Sequence, residues 1–320
     1  MLVFNANDIF KAADPDEVLA AVEKAMLIYE TDDYLMPPRS HVYHRDNTLL
    51  LMPCFNNRGF GTKLVSVFPN NALEGEPVIN GIMVLNEGRT GKPLALLNGQ
   101  ALTAIRTGAV GGVSIKHLAK PDSKTLGLIG TGVQGFYQAI FGARASNIER
   151  IIVFSRTASK GKAFINRLAD HLPRIRLVLA GTMEELLEHS DIVITATTAV
   201  DPVLPDDGAL LKGKHFVGIG SFKPEMREYP KALYGLLKQV FVDTNYAKIE
   251  TGDLALPLKE NWLRDEQVIT LGKWLKAVDR QELGDTTFFK SVGMALFDLM
   301  TAQLIYQKGL ELGLGQKINL

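Results

Sequence analysis

The sequence predicts an α/β protein: a doubly wound parallel sheet preceded by a smaller α+β domain. Three observations point there. From about residue 120 onward, short apolar runs alternate with helix-like segments, the pattern of parallel strands joined by crossover helices. The first of those runs ends in Gly130-Thr131-Gly132-Val133-Gln134-Gly135, a glycine spacing suited to a strand-to-helix turn that receives phosphates. Before residue 120 the texture differs, with one helix followed by strands separated by turn residues.

In chain order, the first clear element is a helix. Asp14 is its expected N-cap, Pro15 its first residue and Glu17 lies three residues after the cap, a capping-box pattern. Val18, Ala21, Val22, Ala25, Met26 and Tyr29 then recur at helical spacing. Ser40–Tyr43 and Thr48–Met52 read as strands around an Asp46-Asn47 turn, and Thr62–Phe68 as a further strand. Ile79–Leu85 and Pro93–Leu97 flank the turn-forming stretch Glu87-Gly88-Arg89-Thr90-Gly91, and a helix is expected over Leu102–Leu118.

After Lys120-Pro121-Asp122-Ser123, strands are expected at Thr125–Ile129, Arg150–Phe154, Ile175–Leu179, Asp191–Thr195, His215–Ile219 and Gln239–Asp243. An amphipathic helix is expected over Phe288–Leu310, before a glycine-rich end. The expected organisation is a first domain over 1–118, a sheet domain over 119–287 and a terminal helical segment over 288–320.

The glycine motif reads as a Rossmann-type dinucleotide site. Gly130 permits a tight turn, Gly132 lets a pyrophosphate approach the backbone, and Gly135 lets helix and strand pack closely. The N–H groups of the helix start, around Thr131, Val133 and Gln134, then face the phosphates. An NAD-preferring site carries Asp or Glu about 20 residues past the glycines. Here Ser155-Arg156-Thr157 follows the second strand instead. A guanidinium flanked by two hydroxyls suits a 2′-phosphate, because it is planar, always charged and bidentate. NADP(H) is therefore the expected cofactor and NAD(H) the second choice; the plain alternative is a solvent-exposed arginine at a helix start. Thr195, Ala196 and Thr197 fall after the fourth strand and Ser221 after the fifth, at the carboxyl edge where such ligands bind.

Composition narrows the remaining classes. The 320 residues hold 35 Lys+Arg against 35 Asp+Glu, so the whole chain offers no electrostatic footprint for nucleic acid or an anionic membrane. No apolar run approaches the roughly 18–20 residues a bilayer span needs, and the first residues lack the pattern of a signal peptide. With Cys54 the single cysteine, no internal disulfide can form, and a cytoplasmic location is the expectation. The six histidines, His41, His44, His117, His171, His189 and His215, show no metal-ligand spacing, so no metal is expected. His41 and His44 read as half-exposed strand residues, and Trp262 and Trp274 as packing residues. No serine or cysteine nucleophile motif is present.

Three cations in the first domain invite closer reading. Arg39 follows Met36-Pro37-Pro38, Lys63 lies in Gly61-Thr62-Lys63-Leu64-Val65, and Arg106 lies in Thr103-Ala104-Ile105-Arg106-Thr107. Lys63 and Arg106 are bracketed by apolar residues, where a charge is costly unless paired. Chemistry alone leaves two readings open: the cations bind a substrate carboxylate, or they pair with acids of the same domain.

Met36-Pro-Pro-Arg39, Lys63-Leu-Val-Ser-Val-Phe-Pro-Asn70, Ala104-Ile-Arg106-Thr107-Gly-Ala, Gly130-Thr-Gly132-Val-Gln-Gly135 and Lys290-Ser291-Val-Gly293 together resemble the ornithine cyclodeaminase/mu-crystallin family. The resemblance implies a homodimer, with a Rossmann domain and a substrate and dimerisation domain that the C-terminal helix completes. It implies that Arg39, Lys63 and Arg106 converge on the α-carboxylate of a small amino or imino acid, and that Thr107 and Ser291 lie near the cofactor. Family members include cyclodeaminases with a retained NAD, alanine dehydrogenases, cyclic imino acid reductases and mu-crystallin, which also binds a hormone. Cyclodeaminases carry an Asp just after the fifth sheet strand, where this chain has Phe222, and an acidic residue near Ser155-Arg156-Thr157. Both departures favour a reductase of Δ1-pyrroline-2-carboxylate or Δ1-piperideine-2-carboxylate, with Lys63 as the catalytic side chain. An ornithine or lysine cyclodeaminase using Asp243 or Asp253, an alanine-dehydrogenase-like or other imine reductase, and an NADPH-dependent binding protein are the alternatives.

Overall fold

The computed structural model describes residues 1–280 and 282–319. It divides into two compact units, one formed by Met1–Arg106 with the segment from Met294 onward, the other by Thr107–Gly293. In chain order the first unit contains β1 (Leu2–Phe4), α1 (Ala6–Ala12), α2 (Pro15–Tyr29), β2 (Tyr34–Leu35) and β3 (Ser40–His44). It continues with β4 (Asn47–Asn56), β5 (Gly59–Val67), β6 (Ile79–Glu87) and β7 (Pro93–Asn98). The division between units falls within α3 (Gly99–Leu118).

The second unit alternates strands and helices. It runs β8 (Thr125–Ile129), α4 (Val133–Ala145), β9 (Arg150–Phe154), α5 (Ala158–Ala169), β10 (Arg176–Leu179), α6 (Met183–Glu188) and β11 (Ile192–Thr195). There follow α7 (Gly208–Leu211), β12 (His215–Gly218), α8 (Lys231–Tyr234), β13 (Leu237–Val242), α9 (Ala247–Glu250) and α10 (Gly252–Lys259). The unit ends with β14 (Val268–Thr270), α11 (Leu271–Lys276) and β15 (Thr286–Lys290). Helix α12 (Ala295–Glu311) and β16 (Gln316–Lys317) belong to the first unit.

Among the described residues each unit holds one eight-stranded sheet. The first has the order β16-β1-β7-β6-β5-β4-β2, with β3 also paired to β4. Its pairs are antiparallel except for β1 with β7. Because side chains alternate along a strand, register decides what shares a face. Met52, Lys63 and Met83 stand abreast on β4, β5 and β6, and all three are buried. Helix α12 packs on these strands and on α2. Lys63 is thus an inward-facing residue in an otherwise apolar row. The opposite face carries Val42, Leu49, Phe55 and Ile82, all exposed.

The second sheet is parallel throughout, in the order β10-β9-β8-β11-β12-β15-β13-β14. Chain order reverses between β8 and β11, and ligands of open α/β sheets bind at the carboxyl ends beside such a reversal. Ile152, Val193, Phe216, Leu233, Val240 and Phe288 belong to its core; each large apolar side chain buried stabilises by about 1.5–3 kcal/mol.

Several elements differ from the sequence expectation. Phe288 does not begin a helix. Residues Thr286–Lys290 form β15, inserted between β12 and β13, and the helix starts at Ala295. All five residues of Thr286-Thr287-Phe288-Phe289-Lys290 are buried, so the strand shows no period-two alternation, and its two phenylalanines merge with the apolar helical pattern that follows. The two units therefore divide at 106/107 and 293/294 rather than at 118 and 287. The β3–β4 hairpin turns at Arg45-Asp46, one residue early, with Arg45 at φ 55. Asp14 caps α2 as expected, accepting from Asp16 and Glu17 N–H groups, while the Glu17 carboxylate meets Lys308 of α12 at 2.7 Å.

Candidate active site

The glycine turn joins β8 to α4. Gly130 has φ 111, and a Cβ there would collide with the Ala196 carbonyl oxygen. A Cβ on Gly135 would collide with the Gly130 oxygen. Gly132, the N-cap of α4, faces open space. Two positions thus exclude side chains by contact, and the one between them leaves the backbone accessible at a helix start, which fits a dinucleotide pyrophosphate. Thr131 is half-buried and Val133 exposed. The Thr107 hydroxyl and the Gln134 side-chain oxygen are among the buried polar atoms without a hydrogen-bond partner.

After β9, Ser155 is half-buried and Arg156 and Thr157 are exposed. Thr157 is the N-cap of α5 without a side-chain cap bond, and the first turn of α5 holds no acidic residue. The remaining edge residues face inward to varying degrees. Thr195 is fully buried and its hydroxyl donates to the Tyr229 oxygen at 2.9 Å. Ala196 is half-buried. Thr197 donates both its backbone N–H and its hydroxyl to Glu228, each at 2.8 Å. Ser221 is fully buried, its hydroxyl donating to the Met226 carbonyl. The Ser291 hydroxyl donates to Asp243 at 2.6 Å, and the Val292 and Gly293 N–H groups meet the same carboxylate oxygen.

Sequence reasoning missed the residue that organises these loops. Glu228, buried, also accepts from the Gly220 and Ser221 N–H groups at 2.8 and 3.1 Å, so one carboxylate ties together the segments following β11 and β12. Lys290, at the end of β15, lies 3.1 Å from Asp253 and 4.0 Å from Glu228. Asp253 in turn accepts from the Glu228 and Tyr229 N–H groups. Thr251 caps α10, its hydroxyl accepting from the Asp253 N–H.

The first unit holds the cation cluster. Lys63 on β5 and Arg106 on α3 both meet Asp298, in the first turn of α12. Lys63 Nζ lies 2.8 Å from Oδ2 and Arg106 Nε 3.1 Å from Oδ1, and all three residues are buried. Lys63 is also 3.4 Å from the Thr103 hydroxyl. Burial pushes the Lys63 ammonium down to about 8; Asp298 opposes that shift, while the Arg106 and Arg39 charges add to it. Burial likewise pushes the Asp298 carboxyl up, but the Arg106 and Lys63 charges outweigh it and hold the group below its ordinary value. Arg39 is half-buried. Pairing with an acid of the same domain therefore occurs, but one carboxylate serves two cations. Asp298 does carry a signal in the sequence: it is the single acid in the apolar stretch Ala295–Ala302, where a charge requires a partner.

The chain matches the model of the ornithine cyclodeaminase/mu-crystallin family over residues 2–312. It is 38% identical to the Δ1-pyrroline-2-carboxylate reductase of Bacillus thuringiensis subsp. konkukian (strain 97-27), covering all of both chains. Its fold superposes with a TM-score of 0.90 on the Thermococcus litoralis Δ1-pyrroline-2-carboxylate reductase in complex with NADH and L-proline, at 32% identity over 99% of this chain and 100% of that one. An archaeal alanine dehydrogenase dimer with bound NAD also gives 0.90, at 27% identity, over 100% and 99%. With such relatives along its full length, this is an NAD(P)-dependent oxidoreductase acting on C=N groups. The chain belongs to the ornithine cyclodeaminase/mu-crystallin family.

Proposed function

We propose that the protein reduces the C=N bond of a cyclic imino acid, Δ1-pyrroline-2-carboxylate or Δ1-piperideine-2-carboxylate, to proline or pipecolate, with NADPH preferred over NADH. Lys63 and Arg106 carry this conclusion. Two buried cations share one carboxylate, and the Nη groups of Arg106 make no hydrogen bond among the described residues. The cluster has an excess of positive charge that a substrate carboxylate neutralises. Relatives named for this reduction support the same substrate class.

Bound NADPH supplies the hydride. The first unit holds the carboxylate through Arg39, Lys63 and Arg106, which fixes the adjacent carbon for attack. The imine nitrogen gains the balancing proton from the Lys63 ammonium, whose value of about 8 suits donation near neutrality. In the second unit Gly130, Thr131, Gly132, Val133, Gln134 and Gly135 hold the pyrophosphate, and Thr107 and Gln134 offer their orphaned oxygens to the cofactor. Ala196 and Thr197 line the edge, and Thr195, Ser221 and Ser291 brace it from behind. Arg156, with Ser155 and Thr157, receives the 2′-phosphate at the uncapped start of α5.

A cyclodeaminase needs a base after β12. Phe222 stands there, exposed, while Asp243 and Asp253 are buried and already accept several hydrogen bonds, so neither serves as that base. We further infer a homodimer through the face carrying Val42, Leu49, Phe55 and Ile82, because so large an apolar sheet face is costly in water. Light scattering on wild type and on Leu49→Asp/Ile82→Asp tests it; a monomeric wild type excludes it.

The deciding experiment follows NADPH oxidation with the five- and six-membered imino acids, with NADH and with pyruvate plus ammonia in parallel. Rapid turnover of a cyclic imine is expected. Turnover confined to pyruvate plus ammonia replaces the reading with an alanine dehydrogenase, and ammonia release from ornithine or lysine with catalytic NAD replaces it with a cyclodeaminase. Tight NADPH binding without any turnover leaves a binding protein. Arg156→Ala should raise the NADPH KM roughly 10–100-fold, the worth of a charge-assisted phosphate contact, with the NADH KM unchanged.

A further inference from the structure

Asp298 is distant in sequence from both groups it holds, and its two oxygens are divided between them: Oδ2 takes the Lys63 ammonium and Oδ1 takes Arg106 Nε. Neither cation can rotate away without leaving a buried charge unpaired, which is strongly unfavourable. The carboxylate sits in the first turn of α12, where the helix dipole favours an anion. Only the inner edge of the Arg106 guanidinium is used; its Nη groups carry no bond among the described residues.

We propose that Asp298 is a positioning residue for the substrate grip, holding Lys63 and Arg106 by their inner N–H groups so that the outer ones present to the substrate carboxylate, and keeping Lys63 in its ammonium form. This rests on the carboxylate-binding role proposed above. The charged and titratable groups bearing on the cluster are Asp298 from α12, Arg106 from α3, Arg39 ahead of β3, and the Cys54 thiol of β4. Burial, with Asp298 adding, pushes that thiol up to about 12, so it stays neutral. Asp298 is therefore the single acid among these groups that opposes loss of the Lys63 proton.

Asp298→Asn removes the charge and keeps the shape. The alkaline limb of kcat/KM should move down by about one pH unit or more, the usual reach of an opposite charge at this distance. The imino acid KM should rise about 10–100-fold, as for a misplaced grip, with the NADPH KM unchanged. Asp298→Glu keeps the charge and displaces it, so the limb stays in place while the imino acid KM rises. Wild-type limb and wild-type KM in both variants overturn the inference.

A second readout separates this inference from the proposed reaction. In protein labelled with 13C at lysine Cε, with Lys63→Met identifying the signal, the Lys63 titration midpoint should fall in Asp298→Asn. A midpoint lowered by Asp298→Asn, where the wild type reduces no cyclic imine, supports Asp298's hold on Lys63 and removes the reductase. An unchanged midpoint overturns the inference even in an active enzyme. Should Asp298→Asn fail to fold, Asp298→Glu decides: a raised imino acid KM supports the proposal and an unaltered one overturns it.

Discussion

Two buried charge clusters, one in each unit, look alike by burial and differ in what their charges still lack. In the first unit Lys63 and Arg106 share the single carboxylate of Asp298, which leaves an excess of positive charge and unsatisfied N–H groups. In the second, Glu228 and Asp253 share the single ammonium of Lys290, which leaves an excess of negative charge. Most of that excess is answered from within the protein: Glu228 accepts from Thr197 twice, Gly220 and Ser221, and Asp253 Oδ1 accepts from the Glu228 and Tyr229 N–H groups, while Asp253 Oδ2 and Lys290 Nζ meet as an ion pair at 3.1 Å without a hydrogen bond. A charge whose surplus is absorbed by backbone N–H groups builds structure; a charge whose surplus faces no protein partner waits for a ligand. Burial alone does not separate the two.

The largest effect expected from this contrast is on turnover. Lys63→Met should lower kcat/KM for the imino acid by roughly 10²–10⁴-fold, the range of a lost acid–base group, while NADPH binding, followed by fluorescence titration, stays near wild type. Turnover within a few-fold of wild type would remove Lys63 from the reaction. Lys290→Met should instead act on stability. Leaving two buried carboxylates without their cation costs about 3–5 kcal/mol, visible as a lower urea midpoint, with the imino acid KM of the folded fraction unchanged. An intact midpoint with a raised imino acid KM would reverse the roles given to the two clusters.

The smallest effect is in pH. Burial pushes the Lys63 ammonium down to about 8, and the proposed reduction uses that ammonium form. Reductive kcat/KM should therefore be level below about pH 8 and fall about tenfold per unit above it, the slope of one titrating group. Oxidation of the cyclic amino acid, which needs the free amine as base, should rise through the same range and then level.

Much of the fold and part of the site are legible in the sequence. The glycine motif, the alternation after residue 120 and the cap at Asp14 are local signals, each set by backbone geometry within a few residues. Lys63 and Arg106 stand out because charged residues are bracketed by apolar ones. Asp298, a lone acid among apolar residues, carries the same signal but not the identity of its partners, which lie 235 and 192 residues away at Lys63 and Arg106; Glu228, between Arg227 and Tyr229, carries none. Strand β15 reads as a helix for a related reason. Phe288 and Phe289 are fully buried, so the run carries no alternation to betray a strand.

By itself the sequence determined the fold class, the glycine turn between β8 and α4 and two cations that need partners, because periodicity, glycine conformation and the cost of a buried charge act locally. Tertiary structure alone decided where β15 inserts, that α12 delivers Asp298 to Lys63 and Arg106, and that Glu228 gathers the loops after β11 and β12. Those outcomes depend on which distant surfaces bury one another, and a linear chain does not display the partner that will satisfy a charge once water has been removed.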